Sequence, residues 1–221
     1  MPRSAADVAG DIAGITLLSL LISGTSTLVA TLIAVPLGTF LGLREIGSAR
    51  LLRTILFTLY GLPPVLAGLL VYLLLSRPGP LGFLGLIYTP LGMVFAQTLV
   101  VTPIILGITT SVVASVERRV KETAFVLGAD ARQLQVTVIK EAAAGVLTAV
   151  MVGFGRAISE VGAVYIVGGA IPGKTQVLTT TIITDIQQAQ NEHAVALGVI
   201  LLVLGGLVYY LLYRLQEKTL P

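Results

Sequence analysis

Five runs of about twenty apolar residues dominate this chain of 221 residues and constrain its fold more than any other feature. In hydrocarbon, every backbone N–H and C=O must be paired within the protein, so runs of this length predict helices that cross a lipid bilayer. The composition agrees, because 55% of the residues are hydrophobic and only 11% are charged, too few for the surface of a soluble domain. The sequence therefore predicts an all-α membrane protein.

The predicted spans belong to one transmembrane domain that covers residues 1–221. They run approximately over residues 24–43, 54–76, 90–116, 142–167 and 194–213. The apolar segment 12–22 is too short to cross alone, so we expect an interfacial helix that leads into the first span, with a sixth span as the alternative. Residues 179–183 either re-enter the membrane or pack as an outer helix.

The distribution of positive charge predicts the orientation. With five spans and the amino terminus outside, ten of the fourteen Lys and Arg residues lie on the inner side; Arg3, Arg77 and Lys174 lie outside, and Arg156 lies within a span. Because Lys and Arg concentrate on cytoplasmic loops, we predict an external amino terminus and a cytoplasmic carboxy terminus. The same asymmetry accounts for the net charge of +3, so no nucleic-acid partner is expected.

Residues 118–140 are the only long polar stretch of the chain, and the charge count places them in the cytoplasm. A short helix that starts at Glu122 is expected to end at Gly128, because glycine readily adopts the left-handed conformation that ends helices. Asp130 with Gln133 is expected to cap a second helix. A polar pair of short helices between spans predicts a docking surface.

Arg156 and Glu160 are ionisable residues inside the predicted fourth span, where a charge is costly unless it faces protein or water. They are four residues apart, so they lie on one helix face and can pair. Two interpretations stay open, a structural ion pair or direct contact with a transported substrate. Together with Ser159 and Gly162, they are candidates for a translocation path or gate.

Residues 168–175 match the phosphate-binding pattern of two glycines separated by four residues and followed by Lys and Thr. That pattern binds a nucleotide between a strand and a helix, with an acidic partner for magnesium. Here it follows a membrane span on the predicted outer side, so we reject nucleotide binding. Lys174 and Thr175 are instead candidates for the path or gate, where Lys174 would meet an anion or a partner protein.

Other site classes find little support in the sequence. The chain has no cysteine, and its one histidine, His193, has no cluster of further metal ligands, so we expect a surface histidine, no metal site and no cofactor. No carboxylate pair or Ser/His set occurs at helical spacing, so no catalytic residue is expected. A carrier or channel that works without ATP would show ionisable groups in several spans, and this chain has one such cluster.

Two motifs resemble the permease subunits of ATP-binding-cassette importers for molybdate, tungstate and sulfate. The first is Glu122-Thr-Ala, followed by three residues and Gly128, where that family has Glu-Ala-Ala. The second is Ser-Glu160-Val-Gly followed by Gly168-Gly-Ala-Ile-Pro-Gly-Lys-Thr-Gln, where the family has Gly-Glu-Phe-Gly or Gly-Glu-Val-Gly and then Gly-Asn-Ile-Pro-Gly-Arg-Thr-Gln. Val161 in place of Phe favours the tungstate branch.

The resemblance covers residues 24–215 and implies a type I importer fold, similar to molybdate and methionine permeases, in a prokaryotic plasma membrane. It implies a homodimer around a central path, two ATPase subunits that hydrolyse ATP, an extracytoplasmic oxyanion-binding protein, and tungstate in transit, with molybdate or sulfate as alternatives. It assigns ATPase docking to a cytoplasmic coupling-helix loop with Glu122, Thr123, Ala124, Gly128, Ala129 and Asp130. Two departures are Thr123 for the first Ala of the docking motif and Ala170 for Asn, which removes a hydrogen-bonding group.

Overall fold

A computed structural model describes residues 5–43, 58–59 and 61–219. Over these residues the fold is entirely helical, with one short 3₁₀ turn at Gly82–Leu84. The α-helices are α1 (Ala5–Leu43), α2 (Pro64–Leu75), α3 (Pro90–Val126), α4 (Ala131–Ile158), α5 (Gly162–Gly168), α6 (Leu178–Gln187) and α7 (Asn191–Thr219). Within the described residues, four helices contain an apolar segment long enough to cross a membrane, one fewer than the five spans predicted.

The first helix is continuous, so the separate interfacial helix predicted for residues 12–22 is not observed. Its apolar part extends over Asp11–Leu43. The polar residues Ser26 and Thr27 do not interrupt the helix, because their hydroxyls donate to the Ser23 carbonyl at 3.1 and 2.7 Å. Hydroxyls that bond to their own helix are tolerated in hydrocarbon. The first span therefore begins well before its predicted start.

Two prolines determine the start of α2 and shorten the second predicted span. Pro63 is extended, with φ −61° and ψ 127°, and Pro64 is the first helical residue. Proline lacks an N–H and disfavours helical geometry at the residue before it, so the helix begins here. The described helix has 12 residues and is too short to cross a bilayer alone. Residues 54–57 and 60 of the predicted span lie outside the described residues.

The fourth predicted span, residues 142–167, is divided between two helices. The apolar part of α4 is Arg132–Ile158, so it begins earlier than predicted and ends before Ser159. Residues 162–167 of the predicted span belong to α5, a separate helix. The apolar parts of α3 and α7, Pro90–Val116 and Asn191–Arg214, occupy the third and fifth predicted spans.

Glycines allow α1, α3 and α4 to approach closely, as is typical of membrane helices. A Cβ at Gly38 of α1 would lie 2.9 Å from both the Leu106 carbonyl oxygen and the Thr109 Cβ of α3. Gly145 and Gly153 of α4 meet α3 in the same way. Because lipid gives no hydrophobic force between helices, these contacts supply the van der Waals energy that holds the three helices together.

The last two helices form a hairpin against one end of α1. Ile15 of α1, Leu178 of α6 and Leu197 of α7 form a buried apolar cluster. Residues 179–183, whose structure the sequence left open, belong to α6 and pack in this hairpin. Most of α7 beyond the cluster is uncovered and apolar, with Leu202 76% exposed, as expected for a helix that faces lipid.

We expect Gly38→Val to lower the melting temperature of the solubilised protein, because the new side chain meets Leu106 and Thr109 on α3. Overpacking of this kind costs about 1–3 kcal/mol. Gly24→Val on the same helix is the control, since no atom lies within 4 Å of its new Cβ. Equal melting temperatures for the two variants would contradict the importance of the close α1–α3 contact.

Candidate functional site

A break of three residues, 159–161, separates α4 from α5. The backbone does not require it, because these residues include no proline and none has a positive φ. In an uninterrupted helix the Ala157 carbonyl would accept a hydrogen bond from the Val161 N–H. Here it accepts from the Glu160 N–H at 3.0 Å and from the side-chain amide of Gln97 on α3. A side chain from another helix therefore helps to hold the break.

Arg156 and Glu160 form an ion pair at this break, with Arg156 Nη1 2.7 Å from Glu160 Oε2. The prediction that both residues lie within one helix is wrong. Arg156 is in the last turn of α4, and Glu160 follows the end of that helix. The side chain of Glu160 is 1% exposed and that of Arg156 is 33% exposed. The other carboxylate oxygen, Oε1, accepts from the Ala163 N–H at 3.0 Å. Glu160 thus pairs with the end of one helix and accepts a backbone hydrogen bond from the first turn of the next, whose N-cap residue is Val161.

Two further helices are attached to the same point. Thr179 of α6 donates its hydroxyl hydrogen to the Glu160 backbone carbonyl at 2.8 Å. One residue earlier, the Leu178 N–H donates to Ser19 Oγ of α1 at 2.8 Å. These bonds give partners to polar groups that would otherwise be buried unpaired. The break therefore connects α1, α3, α4, α5 and α6.

A cavity of about 10 Å³ lies beside the break and has room for about one water molecule. Its polar lining comes from Ser19, Ser23, Gln97, Glu160 and Thr179. Gln97 is 2% exposed, and its Nε2 also lies 3.4 Å from Ser23 Oγ of α1. Of these five residues, only Glu160 was a candidate from the sequence. A glutamine inside the apolar run of α3 is the signal that would have identified Gln97.

The remaining two candidates near the break have different surroundings. Ser159 is exposed beside the ion pair, and its hydroxyl donates back to carbonyl groups of α4. At Gly162, a Cβ would lie 2.8 Å from Val65 Cγ2 of α2, so glycine is needed for close packing there. Gly68 makes a similar approach to Ala163, where a Cβ would lie 2.7 Å from the backbone. Gly162 therefore allows α5 to pack closely against α2.

The loop between α5 and α6 holds Lys174 and Thr175, and it is not a phosphate loop. It joins two helices, and the Thr175 hydroxyl is already used, since it donates to the Gly168 carbonyl at 2.6 Å and accepts from the Ile171 N–H at 3.0 Å. Lys174 is exposed and lines a different cavity, of about 320 Å³, together with Asp11 and neighbouring residues of α1. Thr175 closes the loop, and the two residues do not line the cavity at the break.

Ala170, in the same loop, adopts a left-handed conformation with φ 46°. Asparagine tolerates this conformation better than alanine does. The Asn that the resemblance leads us to expect here is therefore suited to the backbone, and Ala170 strains the loop.

The polar turn between α3 and α4 has the backbone features that its sequence indicates. Gly128 is left-handed, with φ +70°. Asp130 Oδ1 accepts from the Gln133 N–H at 2.8 Å, and the Asp130 N–H donates to Gln133 Oε1 at 3.0 Å, which completes a capping box. The two short helices predicted within residues 118–140 are instead the ends of α3 and α4. No helix-breaking residue separates these ends from the spans.

Apolar side chains stand exposed at the tip of this turn. Val126 is 82% exposed and Leu127 is 78% exposed. The docking candidates that are exposed beside them are Thr123, Gly128, Ala129 and Asp130. Glu122 and Ala124 lie in the last turns of α3, and their side chains lie outside the described part of the structure. Exposed apolar groups on a polar element are typical of a contact surface, so Val126 and Leu127 join the docking candidates.

His193 is not the plain surface residue that was predicted. Its Nδ1 lies 2.6 Å from Asp185 Oδ2, and the two side chains are 28% and 9% exposed. The contact joins α6 to the first turn of α7. Within the described residues, no group of three possible metal ligands occurs around this pair or elsewhere.

We expect Arg156→Gln to destabilise the solubilised protein more than Glu160→Gln. The first change strands a buried carboxylate, whereas the second strands a partly exposed guanidinium and keeps an oxygen that can accept from the Ala163 N–H. Removing one partner of a buried pair costs about 3–5 kcal/mol, and removing an exposed charge such as Lys174 costs about 0–1 kcal/mol. Thermal unfolding of these two variants and of Lys174→Gln measures the order of their losses of stability. Equal losses for Arg156→Gln and Glu160→Gln would contradict the asymmetry.

Comparison with known proteins gives consistent matches over most of the chain. The chain is 40% identical to the tungstate uptake system permease protein TupB of Peptoclostridium acidaminophilum, over 92% of this chain and 90% of that protein. It is 35% identical to a probable anion ABC transporter permease protein of Haloferax volcanii, over 93% of this chain and 90% of that protein. It is 29% identical to the sulfate transport system permease protein CysW of a Synechocystis strain, over 87% of this chain and 75% of that protein.

A family model covers both the polar turn and the break. Residues 34–220 match the model described as the inner membrane component of binding-protein-dependent transport systems. The matching relatives are permease subunits, which are translocation components rather than enzymes. The chain therefore belongs to the family of inner membrane components of binding-protein-dependent transport systems, the permease subunits of ATP-binding-cassette importers.

Proposed function

We propose that this chain is the translocation subunit of an ATP-driven tungstate importer and works as a homodimer. The observation that carries the substrate assignment is the 40% identity to a tungstate permease over 92% of the chain. Two ATPase subunits and an extracytoplasmic oxyanion-binding protein complete the complex in a prokaryotic plasma membrane. The charge distribution supports an external amino terminus and a cytoplasmic carboxy terminus.

ATPase docking is assigned to the polar turn, residues 122–130. Exposed Val126 and Leu127 supply the apolar contact, and the polar residues around them supply its rim. The capping box begins α4 directly behind this surface, and α4 has 28 residues, so it extends about 42 Å to the break. Movement of a bound ATPase would therefore reach the Arg156–Glu160 pair through one continuous helix.

The translocation path is assigned to the side of the break where Ser159 and part of the Arg156 side chain are exposed. A guanidinium that is 33% exposed at membrane depth is costly against lipid. In a homodimer, this face would border a polar space between the two copies, where a positive charge attracts an oxyanion. Glu160 then holds Arg156 in place, and the open part of Arg156 meets the substrate. Lys174 would lie at the outer mouth.

Uptake by the reconstituted complex tests the substrate. Proteoliposomes with the chain, its ATPase and its binding protein are expected to accumulate tungstate when ATP is supplied on the ATPase side, and not with a non-hydrolysable analogue. Molybdate and sulfate are the competitors to compare, because sulfate permeases are among the relatives. Accumulation of molybdate or sulfate without tungstate would reassign the substrate, and accumulation without ATP would remove the importer assignment.

The docking assignment predicts that Gly128→Val weakens ATPase association roughly tenfold, since a β-branched residue is strained by about 1–2 kcal/mol in the left-handed conformation. No atom lies within 4 Å of the new Cβ, so a steric clash does not contribute. Gly128→Asn is the matched control, because Asn tolerates this conformation and is expected to retain the ATPase.

Glu122→Ala removes a charge from the segment assigned to docking and is also expected to lose ATPase association. Both Gly128→Val and Glu122→Ala are expected to insert into the membrane and to form homodimers normally. Co-purification with the ATPase, followed by hydrolysis with and without loaded binding protein, measures the effect. Wild-type association and stimulation in both variants would show that this turn does not couple the two subunits.

A further inference from the structure

Gln97 is an amide side chain inside the apolar run of a membrane helix. Its side chain is buried, and its Oε1 accepts no hydrogen bond from the described residues. Its Nε2 donates to the Ala157 carbonyl, which also settles the orientation of the amide, because an oxygen there would face another oxygen. The amide borders the cavity of about 10 Å³ at the break, which has room for about one water molecule.

The carbonyl that Gln97 holds does not depend on it for a partner. Ala157 O also accepts from the Glu160 N–H at 3.0 Å, so it would stay paired if the amide were removed. Methionine has a similar length and no acceptor that requires pairing, and it adapts readily to irregular space. Methionine is therefore expected to fill the same space, to leave the Ala157 carbonyl paired, and to remove only the amide contact.

Gln97 helps to determine the position of the backbone at the break between α4 and α5. Its amide engages the Ala157 carbonyl, which an uninterrupted helix would pair with the Val161 N–H. Arg156 and Glu160 lie on the two sides of this point, so the contact determines how their ion pair is presented. Through Ser23, which lies 3.4 Å from Gln97 Nε2, α1 is connected to the same contact.

We propose that Gln97 is a positioning residue for transport, which fixes the α4–α5 break through the Ala157 carbonyl and thereby presents the Arg156–Glu160 pair to the path. The inference rests on the proposed function, because it takes the break to border the path. The two roles predict different effects on stability and uptake. A structural residue supports stability and uptake together, whereas a positioning residue supports uptake at unchanged stability.

The test is Gln97→Met in the complete complex, reconstituted with its ATPase and binding protein. We expect a melting temperature close to that of the wild type, tungstate uptake per complex lowered roughly tenfold or more, and half-saturation by loaded binding protein unchanged within about twofold. Gln97→Asn keeps the amide but is one methylene shorter, so its amide falls short of Ala157 and its uptake is expected to fall as well.

Thr98→Val is the matched control on the same helix. Its hydroxyl is buried and has no hydrogen-bond partner in the described part of the chain, so its removal is expected to leave uptake unchanged. Wild-type uptake by Gln97→Met would overturn the positioning role. Uptake that falls in proportion to a lowered melting temperature would overturn it too, in favour of a structural role.

The outcome also separates this inference from the proposed function. If the wild-type complex takes up tungstate and Gln97→Met does so equally well, only the role of Gln97 is rejected. If the wild-type complex takes up neither tungstate nor another oxyanion, the proposed function is rejected, and the role of Gln97 in transport is rejected with it.

Discussion

The centre of this molecule depends on the burial of one carboxylate, that of Glu160. A charge that is 1% exposed among membrane helices is tolerated only when both of its oxygens are engaged. Arg156 supplies the countercharge, and the Ala163 N–H binds the second oxygen. These two partners lie on different helices, so the chain leaves helical geometry between them. Three features accompany this arrangement. The helix α5 is separate from α4, it packs closely against α2, and α6 is attached through Thr179.

The helices around that centre are held by a different kind of contact. α1, α3 and α4 approach each other through glycines such as Gly38, Gly145 and Gly153, which allow close van der Waals contact and carry no polar group of their own. Such contacts are stiff, because a packed interior yields little to small displacements. Polar contacts at the break can be exchanged for other polar contacts or for water at smaller cost. A transport subunit built this way combines rigid contacts between α1, α3 and α4 with polar contacts at the break that are able to rearrange.

The sequence predicts the parts of this structure that depend on local information. Long apolar runs predict helices, and the left-handed Gly128 and the Asp130 capping box depend on residues within one turn of each other. The break at residues 159–161 was not predictable in this way, because its partner Gln97 lies 60 residues from Ala157 along the chain. The extent of α1 was misjudged for a different reason, since the apolar segment 12–22 was treated as separate, whereas hydroxyls that follow it, such as that of Ser26, bond to their own helix.

The contact between α3 and α4 has a consequence for mechanics. Because Gly145 and Gly153 bring α4 into direct contact with α3, and both helices meet at the polar turn, we expect the two helices to tilt together. Such a pair would act as a stiff lever with the length of α4, about 42 Å. A tilt of about 5° at the turn would displace the opposite end of such a lever by roughly 4 Å, which exceeds the length of a hydrogen bond. A small rotation at one end is therefore sufficient to exchange contacts that join these two helices to their neighbours at the other end, such as the contact of Gln97 with Ser23 of α1.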